Sequence, residues 1–206
     1  ISADGDYIVG GSGYDIGKVY LFDKDSSTPL WNYTTEYPVY SVAISADGEY
    51  IVAIAGNSVY LFDKDSSTPL WNYTTGGNIF SVTISADGEY IVVGSHDSKV
   101  YLFDKDGFLW SYTTGGIVDS VDVSANGEYI VASSYYKVYL FDKDSSTPLW
   151  NYTTEGARVA ISADGEYIAA NSRKVYLFHK DGSTPLWNYS TGYDDVNSID
   201  ISANGE

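Results

Sequence analysis

His96 and His179 are the only imidazoles in the chain, and His96 stands directly before Asp97. A histidine beside a carboxylate has the makings of a general base and its orienting acid. Sequence neighbours rarely hold that geometry, however, and no nucleophile motif accompanies this pair. No catalytic residue is therefore expected, and the chain reads as a non-enzyme. His179 replaces the aspartate of a recurring Phe-Asp-Lys-Asp turn and reads as drift.

Carboxylates offer the next chemistry. Asp122 and Asp200 occupy a repeated position held elsewhere by Ala43, Thr83 and Ala160. Two acids brought together there would suit acid–base work or a cation. A solvated or ion-paired role is the simpler reading, with Arg158 close enough in sequence to neutralise one of them. The turns Asp63-Lys64-Asp65 and Asp104-Lys105-Asp106-Gly107 present oxygens of the kind Ca²⁺ prefers, but lack the third acid and distal glutamate of a helix-loop-helix calcium site. Aspartates capping their own turns are the expectation, with no metal site and no cofactor.

Four Asn-x-Thr/Ser sequons could be modified instead. They begin at Asn32, Asn72, Asn151 and Asn188, each within a Trp-Asn-Tyr-Thr or Trp-Asn-Tyr-Ser block. N-glycosylation there would mark a secreted or surface protein. Copying of one ancestral block explains their number equally well.

The elements that position these residues are repeats. Ile-Ser-Ala-Asp-Gly starts at Ile1, Ile44, Ile84 and Ile161, with Asn for Asp in the versions at Val123 and Ile201. Val-Tyr-Leu-Phe recurs from Val19, Val59, Val100, Val138 and Val175, and a tryptophan follows each at Trp31, Trp71, Trp110, Trp150 and Trp187. Within a unit, 41–45 alternates as strand A, 46–48 turns on a glycine, 49–55 forms strand B, 59–62 strand C and 70–74 strand D. Pro69 falls in the C–D turn, where it removes no ladder bond. Strands B and C are apolar on both faces, so each sheet needs cover on both sides. A period near 40 residues with four strands per unit is the pattern of β-propeller blades. The expected fold is all-β: one propeller domain over 1–206, with four-stranded antiparallel blades starting near 1, 44, 84, 123 and 161. Five blades are the first expectation, with 196–202 closing the first sheet. The alternative is an arc of a larger ring, with 196–202 continuing the array. Starting in mid-repeat without methionine, the sequence reads as a piece of a longer or processed polypeptide.

Strand A lines a propeller's channel, so Asp122 and Asp200 are expected near it. Alternating strand direction puts the D–A and B–C loops on one face. The A–B and C–D turns share the other and scarcely vary. Individuality is confined to the first face: Tyr14, Asp15, Tyr37, Tyr40, Phe80, His96, Asp97, Asp119, Tyr135, Tyr136, Arg158, Arg173, Tyr193, Asp194 and Asp195. Tyrosine and arginine give contact area with a polar tip, which suits recognition. Drift in unconstrained loops is the competing explanation.

A formal charge of −17 argues against nucleic acid or an anionic membrane surface as partner. No apolar run reaches membrane-spanning length, so this segment is not expected to insert in a membrane. The chain has no cysteine, which excludes disulfides.

Val59-Tyr60-Leu61-Phe62-Asp63 followed by Leu70-Trp71-Asn72-Tyr73-Thr74 resembles the repeat of pyrroloquinoline-quinone-like propellers. That resemblance implies that each tryptophan docks between adjacent blades. Ile84 to Val92 resembles WD-like, surface-layer-type propellers common among archaeal surface proteins. Trp-Asn, or Trp-Ser at Trp110, stands where the WD dipeptide would be, and the cofactor contacts of quinone enzymes have no counterpart. The functional expectation is an extracellular or cell-surface module that binds a protein or glycan, or self-associates, through its variable face. The alternatives are a glycoside hydrolase or lyase using channel carboxylates, and an intracellular interaction scaffold.

Overall fold

A computed structural model describes residues 1–154, 156, 158–192 and 194–205. The first sheet holds β1 (Tyr7–Gly13), β2 (Gly17–Asp23) and β3 (Trp31–Thr34). The second holds β4 (Val39–Ile44), β5 (Tyr50–Ala55), β6 (Ser58–Asp63) and β7 (Trp71–Thr74). The third holds β8 (Ile79–Ile84), β9 (Tyr90–Ser95), β10 (Lys99–Asp104) and β11 (Gly107–Thr113). In the fourth lie β12 (Val118–Val123), β13 (Tyr129–Ser134), β14 (Lys137–Asp142) and β15 (Trp150–Thr153). The fifth comprises β16 (Arg158–Ile161), β17 (Tyr167–Asn171), β18 (Lys174–His179) and β19 (Trp187–Ser190). All neighbouring strands pair antiparallel, in chain order. This is the all-β propeller architecture expected from the repeat.

Strands B and C are the most buried in the second, third and fourth sheets, each of which is packed between two others. Ile51, Val52, Leu61 and Phe62 are fully excluded from solvent, as are Ile91, Val92, Leu102 and Phe103 one unit later. The tryptophans join the sheets. Trp31 meets Phe62 of the next sheet at 5.3 Å, Trp71 meets Phe103 at 5.2 Å, Trp110 meets Phe141 at 5.5 Å and Trp150 meets Phe178 at 5.4 Å. Each indole Nε1–H also donates to a main-chain carbonyl of that next sheet's C–D turn: Lys64, Lys105, Lys143 and Lys180, at 2.7–3.0 Å. A ring that buries its body and satisfies its one donor is suited to such a seam. Trp187, half exposed, has neither contact among the described residues.

A second belt runs around the channel. Ala3 N–H donates to the Ala46 carbonyl, Ala46 to Ala86, Ala86 to Ala125 and Ala125 to Ala163, at 2.8–3.0 Å, and Asp164 N–H reaches Ala203 at 3.3 Å. These A–B turns surround a cavity of about 440 Å³ lined by alanines, Ile1, Ile44, Ile161, Ile201 and the single carboxylate Asp122. Their glycines take positive φ, and from Gly48 onward each packs on the first tyrosine of the preceding unit's strand B. A Cβ on Gly127 (φ +72) would fall 2.1 Å from the Tyr90 ring.

One expectation is corrected. Residues 196–202 form no strand, and the first sheet has three strands rather than four. Ile199, Ile201 and Gly205 instead line a cavity of about 270 Å³ together with Tyr176, Leu177 and Trp187 of the fifth sheet. β1, the strand it was expected to join, keeps a free edge in the first sheet.

Candidate functional site

Strands of alternating direction deliver two contrasting ends. At one end, each A–B turn is closed by its own side chains. Ser45 Oγ donates to Asp47 Oδ1 at 2.6 Å, and Asp47 Oδ1 accepts from Glu49 N–H at 3.0 Å. The C–D turns are capped likewise: Asp63 accepts from Asp65 N–H at 2.8 Å, and Asp104 accepts from Asp106 and Gly107 N–H at 2.8 and 2.9 Å. The turn carboxylates are thus acceptors for their own backbone, and among the described residues no three acids or imidazoles cluster as a metal site. His179 is more than drift. Its Nδ1 accepts from Asp181 N–H at 3.3 Å, doing the work of the aspartate it replaces.

The other end gathers the variable loops. Each D–A threonine is tied to the B–C loop: Thr35 N–H to Gly17 O, Thr75 to Asn57, Thr114 to Ser98, Thr154 to Tyr136 and Thr191 to Arg173. Three loops then share a device. The A–B ladder shifts register between Val39 and Ser41, between Ile79 and Ser81, and between Val118 and Ser120. Tyr40, Phe80 and Asp119 are the extra residues. A bulge leaves its extra residue unpaired and re-aims the side chain, commonly beside functional sites. All three are exposed, Tyr40 and Phe80 at 66% and 51%. In the fifth sheet the loop is shorter and Arg158 pairs directly with Asn171.

Phe80, Asp119, Arg158 and Asp195 line one cavity of about 470 Å³, together with Gly156, Asn171, Ser172 and Val196. Asn171 is buried and fixes the wall, accepting from Arg158 N–H at 3.0 Å and donating to the Val196 carbonyl at 2.8 Å. Arg173 pairs with Asp195 at 3.4 Å, and the Asp194 carbonyl accepts from Thr191 Oγ1 at 2.6 Å. The other variable loops carry further aromatics. Tyr135 and Tyr136 stack at 5.8 Å, both more than half exposed. Tyr135 holds a φ of 45°, and its ring lies so close over Gly116 that no side chain would fit beneath it. Left-handed backbone at a tyrosine is strained and persists only where packing enforces it. Tyr37 covers Gly56, while Tyr14 and Asp15 tip the β1–β2 hairpin, Tyr14 fully exposed. Tyr193 lies outside the described residues.

The His96–Asp97 pair is taken apart by the fold. Asp97 accepts from Gly76 N–H at 2.9 Å, from Lys99 N–H at 3.2 Å and from the Tyr101 hydroxyl. Burial and this carboxylate hold the Tyr101 phenol well above its usual range. His96 packs instead on Phe80, with ring centroids 4.5 Å apart. The channel acids are also separated in role. Asp122 accepts from Val123 N–H and Ile161 N–H, both at 2.9 Å, bridging the fourth and fifth sheets. Burial pushes its carboxyl up to about 6. Asp200 is exposed and accepts from Ile201 N–H at 2.9 Å. Arg158 neutralises neither, since it lines the cavity at the opposite end and has no ion pair among the described residues. Sequence reasoning missed Asn171 and Ser172. The one available signal was an asparagine where earlier units carry Ala55, Ser95 and Ser134.

Repeated four-stranded sheets, tryptophan seams and a central channel define a pyrroloquinoline-quinone-like β-propeller. The family model described as outer membrane protein assembly factor BamB matches residues 1–189, and the chain belongs to that family. No curated protein matches it.

Proposed function

We propose that this propeller is a non-enzymatic binding and assembly module of the cell envelope or cell surface, recognising a protein partner through its bulge-lined face. The observation that carries this reading is the placement of Tyr40, Phe80 and Asp119 at one repeated bulge position, with the latter two and Arg158 around a single cavity. Exposed aromatics beside one cation are typical of interface anchors. The opposite face carries self-capped turns that scarcely vary from unit to unit, beside a cavity of about 410 Å³ lined by Tyr50, Asp63, Leu70, Trp71, Lys105 and Asp106. A family described by outer-membrane assembly supports an envelope setting and a protein partner.

A surface setting also agrees with the sequons. Asn32, Asn72, Asn151 and Asn188 all lie exposed on the outermost strands β3, β7, β15 and β19. A non-enzymatic role is supported by the commitments of Asp97 and Asp122 to backbone donors. The test is site-specific photo-crosslinking in native envelope extracts, with the photoreactive residue at Tyr136 or, as control, at Asp144 in a C–D turn. A discrete protein adduct from Tyr136 alone is expected. Equal labelling from both sites, or turnover of a glycan by the purified protein, would defeat the reading.

A further inference from the structure

The 470 Å³ cavity carries a more specific recognition. The chain has only two arginines, Arg158 and Arg173, and both stand on the variable face. Arg173 is held by Asp195. Arg158 is exposed, lines the cavity and has no ion pair among the described residues, in a chain with 28 acidic side chains. A guanidinium presents a planar fork that matches a carboxylate in two parallel bonds. Leaving it unpaired amid such an acidic surface fits a cation reserved for a ligand.

Ser172 supplies an independent observation. Ser172 lines the same cavity, and its hydroxyl is buried with no hydrogen-bond partner among the described residues. Buried hydroxyls are ordinarily satisfied, so an orphan on a cavity wall marks where an acceptor belongs. Its neighbour Asn171 turns its own side chain to Arg158 N–H and the Val196 carbonyl instead. Thr154 Oγ1 likewise has no hydrogen-bond partner among the described residues, whereas Thr35, Thr75 and Thr114 cap their own D–A turns.

We propose that this cavity is a subsite for a carboxylate borne by a partner peptide, with Arg158 as the ion-pair anchor, Ser172 as a second donor and Phe80 as the apolar wall. The proposal rests on the binding-face reading above and names what that face selects. Asp119 and Asp195 line the same cavity and shape the selectivity. Asp195 is already paired with Arg173, so Asp119 is the acid that remains with Arg158 in the cavity. A carboxylate followed by a cation or an amide donor suits that opposed pair. The ligand class is therefore a peptide with an acid next to a basic residue, the acid being either a side chain or a chain terminus.

With two arginines, the Nε–Hε region of a ¹⁵N spectrum should hold two signals, and Arg158→Gln assigns them. The probes are N-acetyl-Phe-Asp-Lys-amide, its Asn counterpart, N-acetyl-Ala-Lys-Phe as free acid and as amide, and inorganic phosphate. Saturable movement of the Arg158 signal by the Asp peptide, but not the Asn peptide, is expected if the acid is a side chain. Movement by the free acid and not its amide assigns it to a terminus. Arg158→Gln should weaken binding about tenfold or more and Arg158→Lys several-fold, because a charged hydrogen-bonded pair is lost or loses its fork. Ser172→Ala should weaken it by a smaller factor. Equal response to acid and amide forms, no response up to about 10 mM, unchanged affinity in Arg158→Gln, or preference for phosphate would each overturn the proposal. If the Tyr136 photo-crosslink persists undiminished in Arg158→Gln, the binding face stands and the carboxylate subsite falls.

Discussion

Asp122→Asn should remove the pH dependence of one seam between sheets. Asp122 bridges the fourth and fifth sheets at the channel mouth, and burial raises its carboxyl from 3.8 to about 6. A folded-state value above the unfolded one means that the folded protein favours the protonated form. The associated stability is fully present below the unfolded value and is lost as pH rises through about 6. At 1.36 kcal/mol per decade, ionisation of Asp122 costs the native state about 3 kcal/mol near neutrality, less whatever solvent at the channel mouth returns. Asparagine cannot ionise, but it offers one acceptor where the carboxylate has two, so Val123 or Ile161 loses a partner at every pH. That loss cancels in a comparison between pH values. Urea unfolding at about pH 4 and about pH 7.5 should show the variant gaining about 2–3 kcal/mol on the wild type between the two conditions. Parallel stability profiles would refute a buried, elevated carboxylate at this position.

Three other perturbations follow from the seams and turns. Trp110→Phe keeps a ring against Phe141 but removes the bond to the Lys143 carbonyl, and should cost about 1 kcal/mol or somewhat more in urea unfolding. The same change at half-exposed Trp187 should cost almost nothing, and equal costs would contradict the latch. Gly127→Ala places a Cβ against the Tyr90 ring at a φ of +72° and should destabilise by about 2 kcal/mol or more, whereas Gly115→Ala, with open space around it, should be nearly neutral. Tyr40→Ser and Phe80→Ser, both at bulges and exposed, should leave thermal stability within about 0.5 kcal/mol of wild type while reducing the photo-crosslink from Tyr136.

The repeat made the strands legible because each unit states its pattern again. Alternation in 41–45, the apolar runs of strands B and C, and the glycine turns appear where the periodicity places them. The tryptophan seam was legible only by resemblance, since nothing in Trp71 itself names Lys105 as its acceptor. The bulges were not legible. Tyr40, Phe80 and Asp119 read as loop ends, and one extra residue beside a strand looks the same in sequence whether it bulges or turns. The 196–202 segment misled for the opposite reason: its pattern is that of a strand, but pairing depends on an edge elsewhere in the fold. His96 and Asp97 suggested chemistry by adjacency, yet a turn sends consecutive side chains to different partners. Ser172 could not be found from sequence, because an unsatisfied hydroxyl is a property of its surroundings alone.

The most direct test of partner recognition on the bulge-lined face is a crosslinking scan read by mass spectrometry. A photoreactive residue would be placed in turn at Tyr14, Tyr40, Phe80 and Tyr136, and at Asp25, Asp65, Asp106 and Asp144 in the C–D turns. One shared protein adduct from the first group, absent from the second and competed by unlabelled wild-type chain, is the expected result. Adducts spread evenly over both faces, or confined to the C–D turns, would contradict recognition through the variable loops.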